Sequence, residues 1–197
     1  MKNILILLLA VVYAPSIVAQ DTSKTVLKQA TLIDKTDNYT IQRLIVFNNK
    51  NEILMEHGRS GWMTPALRSN LEQSLKEGLD SLSALIGISI SPVKLAGIFT
   101  YKYQNLLDHK GMSYRTHYTA KYKSGALIQP KLTGREYRWL PIKEALDRIG
   151  FEPLKRETAQ MIRFPKVIWG GAFLLSYKEG NLESMKIIED FYALSGK

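Results

Sequence analysis

Hydrophobic and polar positions change period several times along the chain, and each change predicts an element. Tyr39 to Phe47 and Glu52 to Met55 are strand-like runs separated by the polar turn Asn48-Asn49-Lys50-Asn51, which predicts a hairpin. Over residues 70–86 the period becomes helical. Leu71, Leu75, Leu79, Leu82, Leu85 and Ile86 form a broad apolar stripe, with Ser69 or Asn70 placed to cap the start. Gly78 weakens that helix by roughly 1 kcal/mol relative to Ala, which packing has to offset. Phe164 to Leu174 is a largely apolar segment containing Gly170-Gly171 and is expected to be a buried strand or turn; it lacks the spacing and the Lys-Ser/Thr of a phosphate loop. Within Leu182–Leu194, the positions Met185, Ile188, Phe191 and Tyr192 recur at helical spacing and predict a final docked helix.

Residues 66–88 carry a second kind of pattern. Anchored on Gly87-Ile88, they run Ala66, five residues, Glu72, seven residues, Asp80-Ser81, Leu82, one residue, Ala84-Leu85, one residue, Gly87-Ile88. This spacing resembles the Nudix box, which has Gly, Glu, Arg-Glu, an apolar residue, Glu-Glu, Gly and an apolar residue at those places. Glu72, Leu82, Gly87 and Ile88 match in kind. The flanks also resemble the family: the preceding hairpin, Trp62-Met63-Thr64-Pro65 as a Trp-x-x-Pro segment, and strand-like Leu95–Tyr101 and Thr116–Tyr122. Glu136-Tyr137-Arg138-Trp139 matches a late Glu-x-x-Trp segment, followed by a helix-like Ile142 to Ile149.

The resemblance covers residues 38–150 and implies an α/β fold, a Nudix-like mixed β-sheet sandwiched between helices. Residues 151–197 are then expected to form a helical C-terminal extension packed on that domain. In the family, helical carboxylates hold divalent cations that bridge a diphosphate and help generate the attacking hydroxide. Ser81, Ala84 and Leu85 stand where those carboxylates belong. No cofactor is therefore expected, with Mg or Mn required only if the chain is active.

Length and composition agree with one domain plus a tail. The chain has 197 residues, 45% hydrophobic and 23% charged, which argues against extended disorder. Residues 1–19 resemble a secretory signal peptide. Lys2 precedes the apolar run Ile4–Val12, and Ser16-Ile17-Val18-Ala19 offers a cleavage site, so a periplasmic or secreted protein is expected. A retained membrane anchor is the alternative, although the run is short for a span. The absence of cysteine excludes disulfides, thiolate metal sites and a lipid-modified cysteine. The formal net charge is +9, and losing the signal removes only Lys2, so anionic partners are favoured: phosphorylated small molecules, nucleic acid fragments or an anionic envelope component. The basic residues are scattered, which argues against a nucleic-acid-binding arm.

Several side chains are candidates for chemistry. The resemblance makes Glu72 and Glu136 candidate catalytic carboxylates; alternatively, Glu72 stabilises the loop before its helix and Glu136 pairs with Arg135 or Arg138. Glu77 and Asp80 share a helix face about one turn before the usual metal site and are candidate metal ligands, or else solvated acids near the positive end of the helix dipole. Arg59, Arg68, Arg115, Lys121 and Arg138 are candidate ligand-binding cations, because guanidinium groups grip phosphate without a metal. His117 is either a pocket residue or a structural histidine, while His57 and His109 form no metal spacing. The pairs Tyr101/Tyr103 and Tyr118/Tyr122 each share a sheet face, for stacking a base or for core packing.

The leading expectation is an exported protein binding a nucleotide-like or phosphorylated ligand without ordinary magnesium-dependent hydrolysis. Two rivals remain: an active pyrophosphohydrolase of nucleoside diphosphate derivatives with a shifted metal site, and an envelope protein-interaction module.

Overall fold

A strand that alternates between two buried faces can carry two different interiors, and β1 (Thr40–Phe47) does so. Leu44 and Val46 join one apolar cluster, whereas Ile45 and Phe47 join another. A computed structural model of the chain describes residues 40–69, 72–106, 112–131 and 134–195. The expected signal segment, Asn70 and His109 lie outside the described residues.

The hairpin expected at the start is present. β1 turns into β2 (Glu52–Gly58), with Phe47 opposite Ile53. Asn48 Oδ1 accepts the backbone N–H groups of Lys50 and Glu52 at 2.9 and 3.0 Å, a side chain fixing its own turn. Beyond that end the two strands part. Ile41–Arg43 of β1 pairs with β4 (Ala66–Arg68), while β2 pairs with β3 (Gly61–Met63) and with β8 (Glu136–Pro141). This splay leaves an opening between Arg43 on one strand and Glu56 and Gly58 on the other.

The rest of the sheet is mixed. β6 (Lys94–Gln104) and β7 (Met112–Gly125) are antiparallel, β7 is parallel to β1, and β9 (Ile168–Lys178) is parallel to β6. With β10 (Asn181–Ser195) at one edge, the main path is β10-β9-β6-β7-β1-β2-β3, and the short β5 (Ile88–Ile90) lies on β7. Residues beyond 150 are thus part of the central sheet through β9.

The helix α1 (Leu75–Ile86) covers one face, burying Leu79, Leu82 and Ile86 against Leu44, Val46, Leu54, Tyr118 and Ala120. Its cap is neither Ser69 nor Asn70. Ser69 Oγ instead accepts from the Gln42 amide, and the helix begins one turn later at Ser74, whose hydroxyl accepts the Glu77 N–H while Glu77 accepts the Ser74 N–H. At the other end Gly87 is left-handed, φ 87°, and a Cβ there would stand 2.4 Å from the Ala126 carbonyl oxygen. The Gly at the end of the box-like spacing therefore stops the helix.

The opposite face is covered by α2 (Ile142–Arg148) and α3 (Glu152–Arg163), over Ile45, Phe99, Tyr101, Phe173 and Leu175. The helix expected over 182–194 is a strand. β10 (Asn181–Ser195) runs antiparallel to β9, so the extension is one helix followed by a hairpin rather than helical throughout. Gly170 and Gly171 make the close approach possible: Cβ atoms there would lie 2.5 Å from the Tyr192 ring and 3.0 Å from the Phe191 ring. Among the described residues no helix is long and apolar enough to cross a membrane.

Candidate ligand-binding site

The splay between β1 and β2 forms a cleft of about 560 Å³, within the range of small-molecule sites. Its lining includes four arginines, Arg43, Arg59, Arg68 and Arg135, and one acid, Glu56. Glu56 is bonded by Arg135. Arg43 reaches across the opening and donates to the Thr64 carbonyl at 3.1 Å and to the Met63 sulfur. It is 8% exposed, so the cation at the floor of the cleft is held by backbone and partly stripped of water.

Behind Arg43 lies a buried polar cluster on the same sheet face. Parallel pairing of β1 with β7 sets Arg43 beside His117 and Ile41 beside Arg115. Arg115 donates to the Tyr103 hydroxyl and stacks 4.8 Å from the Tyr101 ring centroid. α3 contributes Glu157, fully buried, whose Oε2 stands 3.1 Å from His117 Nε2, a close polar contact without hydrogen-bond alignment. Burial pushes the Arg43 guanidinium below its usual range, opposed by Tyr101 and Glu157, but an arginine keeps its charge in proteins. Burial likewise lowers the His117 pKa despite Glu157, and raises the Tyr101 phenol well above its ordinary value. Arg43 thus lies in the field of the buried Glu157 carboxylate, beside a histidine whose burial favours the neutral form.

The candidates from the sequence are distributed unevenly around this site. Arg59 and Arg68 line the cleft. Arg115 and His117 lie in the cluster behind it, His117 buried in contact with Glu157. Lys121 lines a separate cavity with Lys94 and Met161. Arg138 pairs with Glu136 at 2.8 Å and sits 5.5 Å from the Trp62 ring centroid, where Arg148 also stacks at 5.4 Å. Glu72 is exposed in the loop before α1. The tyrosines Tyr101 and Tyr118 are core residues on opposite faces.

The α1 surface does not fit a metal centre. Glu77 is engaged in the capping box, Asp80 pairs with Lys76, and Ser81 accepts from Gln73 at 3.0 Å. Ala84 and Leu85 are exposed and carry no donor atom. Among the described residues no three His, Asp or Glu side chains are grouped so as to hold a cation.

Sequence reasoning missed Arg43, Arg135, Tyr101 as a charged-cluster residue, and Glu157. A signal existed for Glu157. Leu154, Glu157, Thr158 and Met161 fall at i, i+3, i+4 and i+7, which places a carboxylate on the buried stripe of α3.

Solved structures share this architecture. A mutator MutT protein from Bacillus halodurans superposes with a TM-score of 0.62 at 15% identity, covering 76% of this chain and 97% of that one. A Nudix hydrolase from Nitrosomonas europaea gives 0.53 at 15% identity, covering 66% and 90%. A MutT protein from Methanosarcina mazei Go1 gives 0.50 at 17% identity, covering 66% and 97%. The chain therefore has the Nudix fold. No protein-family model and no curated protein matches it.

Proposed function

We propose that this chain is an exported Nudix-fold protein that binds a phosphorylated, nucleotide-like ligand in the arginine cleft and does not perform ordinary magnesium-dependent pyrophosphate hydrolysis. The observation that carries this reading is the placement of charge. Four arginines surround a cleft with one acid, itself paired, while the helix that bears metal-binding carboxylates in the Nudix box has Ser81, Ala84 and Leu85 instead. Guanidinium groups hold phosphate oxygens by paired hydrogen bonds, so they replace a metal for binding. They supply no activated water. Export is supported by the apolar run Ile4–Val12 and the small residues before Gln20.

The test is calorimetric titration of the mature protein with inorganic pyrophosphate and ADP in EDTA and again in magnesium, with product release followed in parallel. Saturable binding in EDTA without turnover is expected. The double variant Arg59→Ala, Arg68→Ala should weaken binding by tenfold or more, since a charge-assisted hydrogen bond is worth about 1.5 kcal/mol and about 1.4 kcal/mol is a factor of ten. Rapid magnesium-dependent turnover would overturn the reading.

A further inference from the structure

Arg43 borders two cavities, and only one of them is rich in charge. The second, about 460 Å³, shares Arg43, Ser60 and Met63 with the arginine cleft, so the two adjoin. Its other walls come from beyond residue 149: Gly150 and Phe151 at the α2–α3 junction, Tyr177 near the end of β9 and Leu182 near the start of β10. Among the described residues Arg43 is its one charged lining residue.

The rings on these walls are braced from within the core. Phe151 packs 5.9 Å from Tyr101, and Tyr177 packs 6.3 Å from Tyr103, whose hydroxyl bonds Arg115. Leu182 is 42% exposed, a large apolar side chain at the mouth of the cavity. Arg43 on the wall repels a cation, and Phe151, Leu182 and Met63 offer an anion no donor, whereas a flat apolar group gains stacking and burial.

We propose that this second cavity is a subsite for an aromatic group carried by the anion in the arginine cleft. The ligand is then an aromatic-bearing phosphate or diphosphate ester, and the C-terminal helix and hairpin read its organic end. The inference rests on the cleft binding an anion and adds which part of the chain sets specificity. Arg43 stands at the junction, where the bridging phosphoester of such a ligand falls.

The experiment titrates the full mature chain in EDTA with inorganic pyrophosphate, ADP and UDP, for the native protein and for Leu182→Trp and Leu182→Ser. Leu182→Trp fills the cavity mouth, and Leu182→Ser removes its apolar rim; both replace a half-exposed side chain. The native protein should bind at least one nucleotide about tenfold more tightly than pyrophosphate. Leu182→Trp should abolish that advantage and Leu182→Ser reduce it, both leaving pyrophosphate affinity unchanged. Equal affinity for all three probes, or an advantage untouched by either variant, overturns the subsite alone and leaves the anion cleft standing. Equal weakening of every probe also overturns it, because the hairpin would then act on the whole protein. No binding of any probe overturns the cleft reading and the subsite together.

Discussion

The two faces of one sheet have taken opposite chemistry. On the α1 face, Leu44, Val46, Tyr118 and Ala120 meet Leu79, Leu82 and Ile86 in an apolar cluster. One residue along the same strands, Arg43, Arg115 and His117 face α3 and its Glu157. The period of two alone makes this possible: neighbours in sequence lie on opposite sides and are selected separately. The face whose helix carries the Nudix-like spacing is apolar packing, and among the described residues its outer surface groups no three carboxylates or histidines that could hold a cation. The face that looks like core in the sequence carries the buried charge, and the cleft opens at its edge.

Removing Glu157 should break this contrast most strongly. Glu157→Leu keeps volume but removes the buried carboxylate that faces His117 and acts on Arg43, and loss of one partner from a buried ionic group is worth about 3–5 kcal/mol. A urea melt should show that loss, and the folded fraction should bind pyrophosphate more tightly, since the carboxylate competes with the anion for the same cations. A variant as stable as the native protein would mean that the cluster is not one electrostatic unit.

Leu79→Ala probes the other face. Leu79 has no exposed surface, so the truncation should lower stability by about 3 kcal/mol through lost burial and a residual cavity. Pyrophosphate affinity should stay as it was, because α1 contributes no residue to the cleft lining. A large change in affinity at unchanged fold would erase the distinction between the faces.

How far the sequence disclosed these features depends on the range of the interactions. The β1–β2 hairpin is local: Asn48 bonds its own turn, and the pattern shows it. α1 is also local, although its start was placed a turn early because Leu71 continues the apolar spacing before the Ser74 cap. β10 imitates a helix in sequence for a specific reason. Its pairing with β9 shifts register between Ile187 and Glu189, between Glu189 and Tyr192, and between Ala193 and Ser195. Such bulges add residues to a period-two strand, so Met185, Ile188, Phe191 and Tyr192 imitate a helix. β3 and β4 answer to the splay of β1 from β2, which no local pattern encodes. The arginines Arg59 and Arg68 were visible as phosphate-binding chemistry. Arg43 and Glu157 were not, because β1, β7 and α3 bring them together from distant parts of the chain.

A smaller effect tests whether the α1 surface lacks only its acids. Ser81, Ala84 and Leu85 are exposed, so Ser81→Glu, Ala84→Glu, Leu85→Glu together should change stability by no more than about 1 kcal/mol. The triple variant should bind manganese in a calorimetric titration where the native protein does not. Absence of any binding would show that the backbone around α1, and not only its side chains, has left the metal-binding geometry.

The finest distinction between the faces is their response to pH, since among the described residues only the α3 face buries a histidine. Burial, the dominant effect, holds the folded His117 pKa below its ordinary value, and Glu157 opposes it. The unfolded chain, with a histidine pKa of about 6.5, therefore takes up the proton first. Stability associated with neutral His117 is fully present above that pH and is lost as pH falls from it toward the folded pKa. The groups acting on His117 do not cancel this trend near neutrality: Arg43 keeps its charge, and Tyr101 is pushed away from titration. Urea melts at pH 7.5, 6.5 and 5.5 should show native stability falling on acidification, with a flatter dependence in His117→Gln, whatever that variant's absolute stability. Parallel curves would assign the acid sensitivity to surface carboxylates, and the buried histidine would then be a packed side chain with no electrical consequence for the cleft.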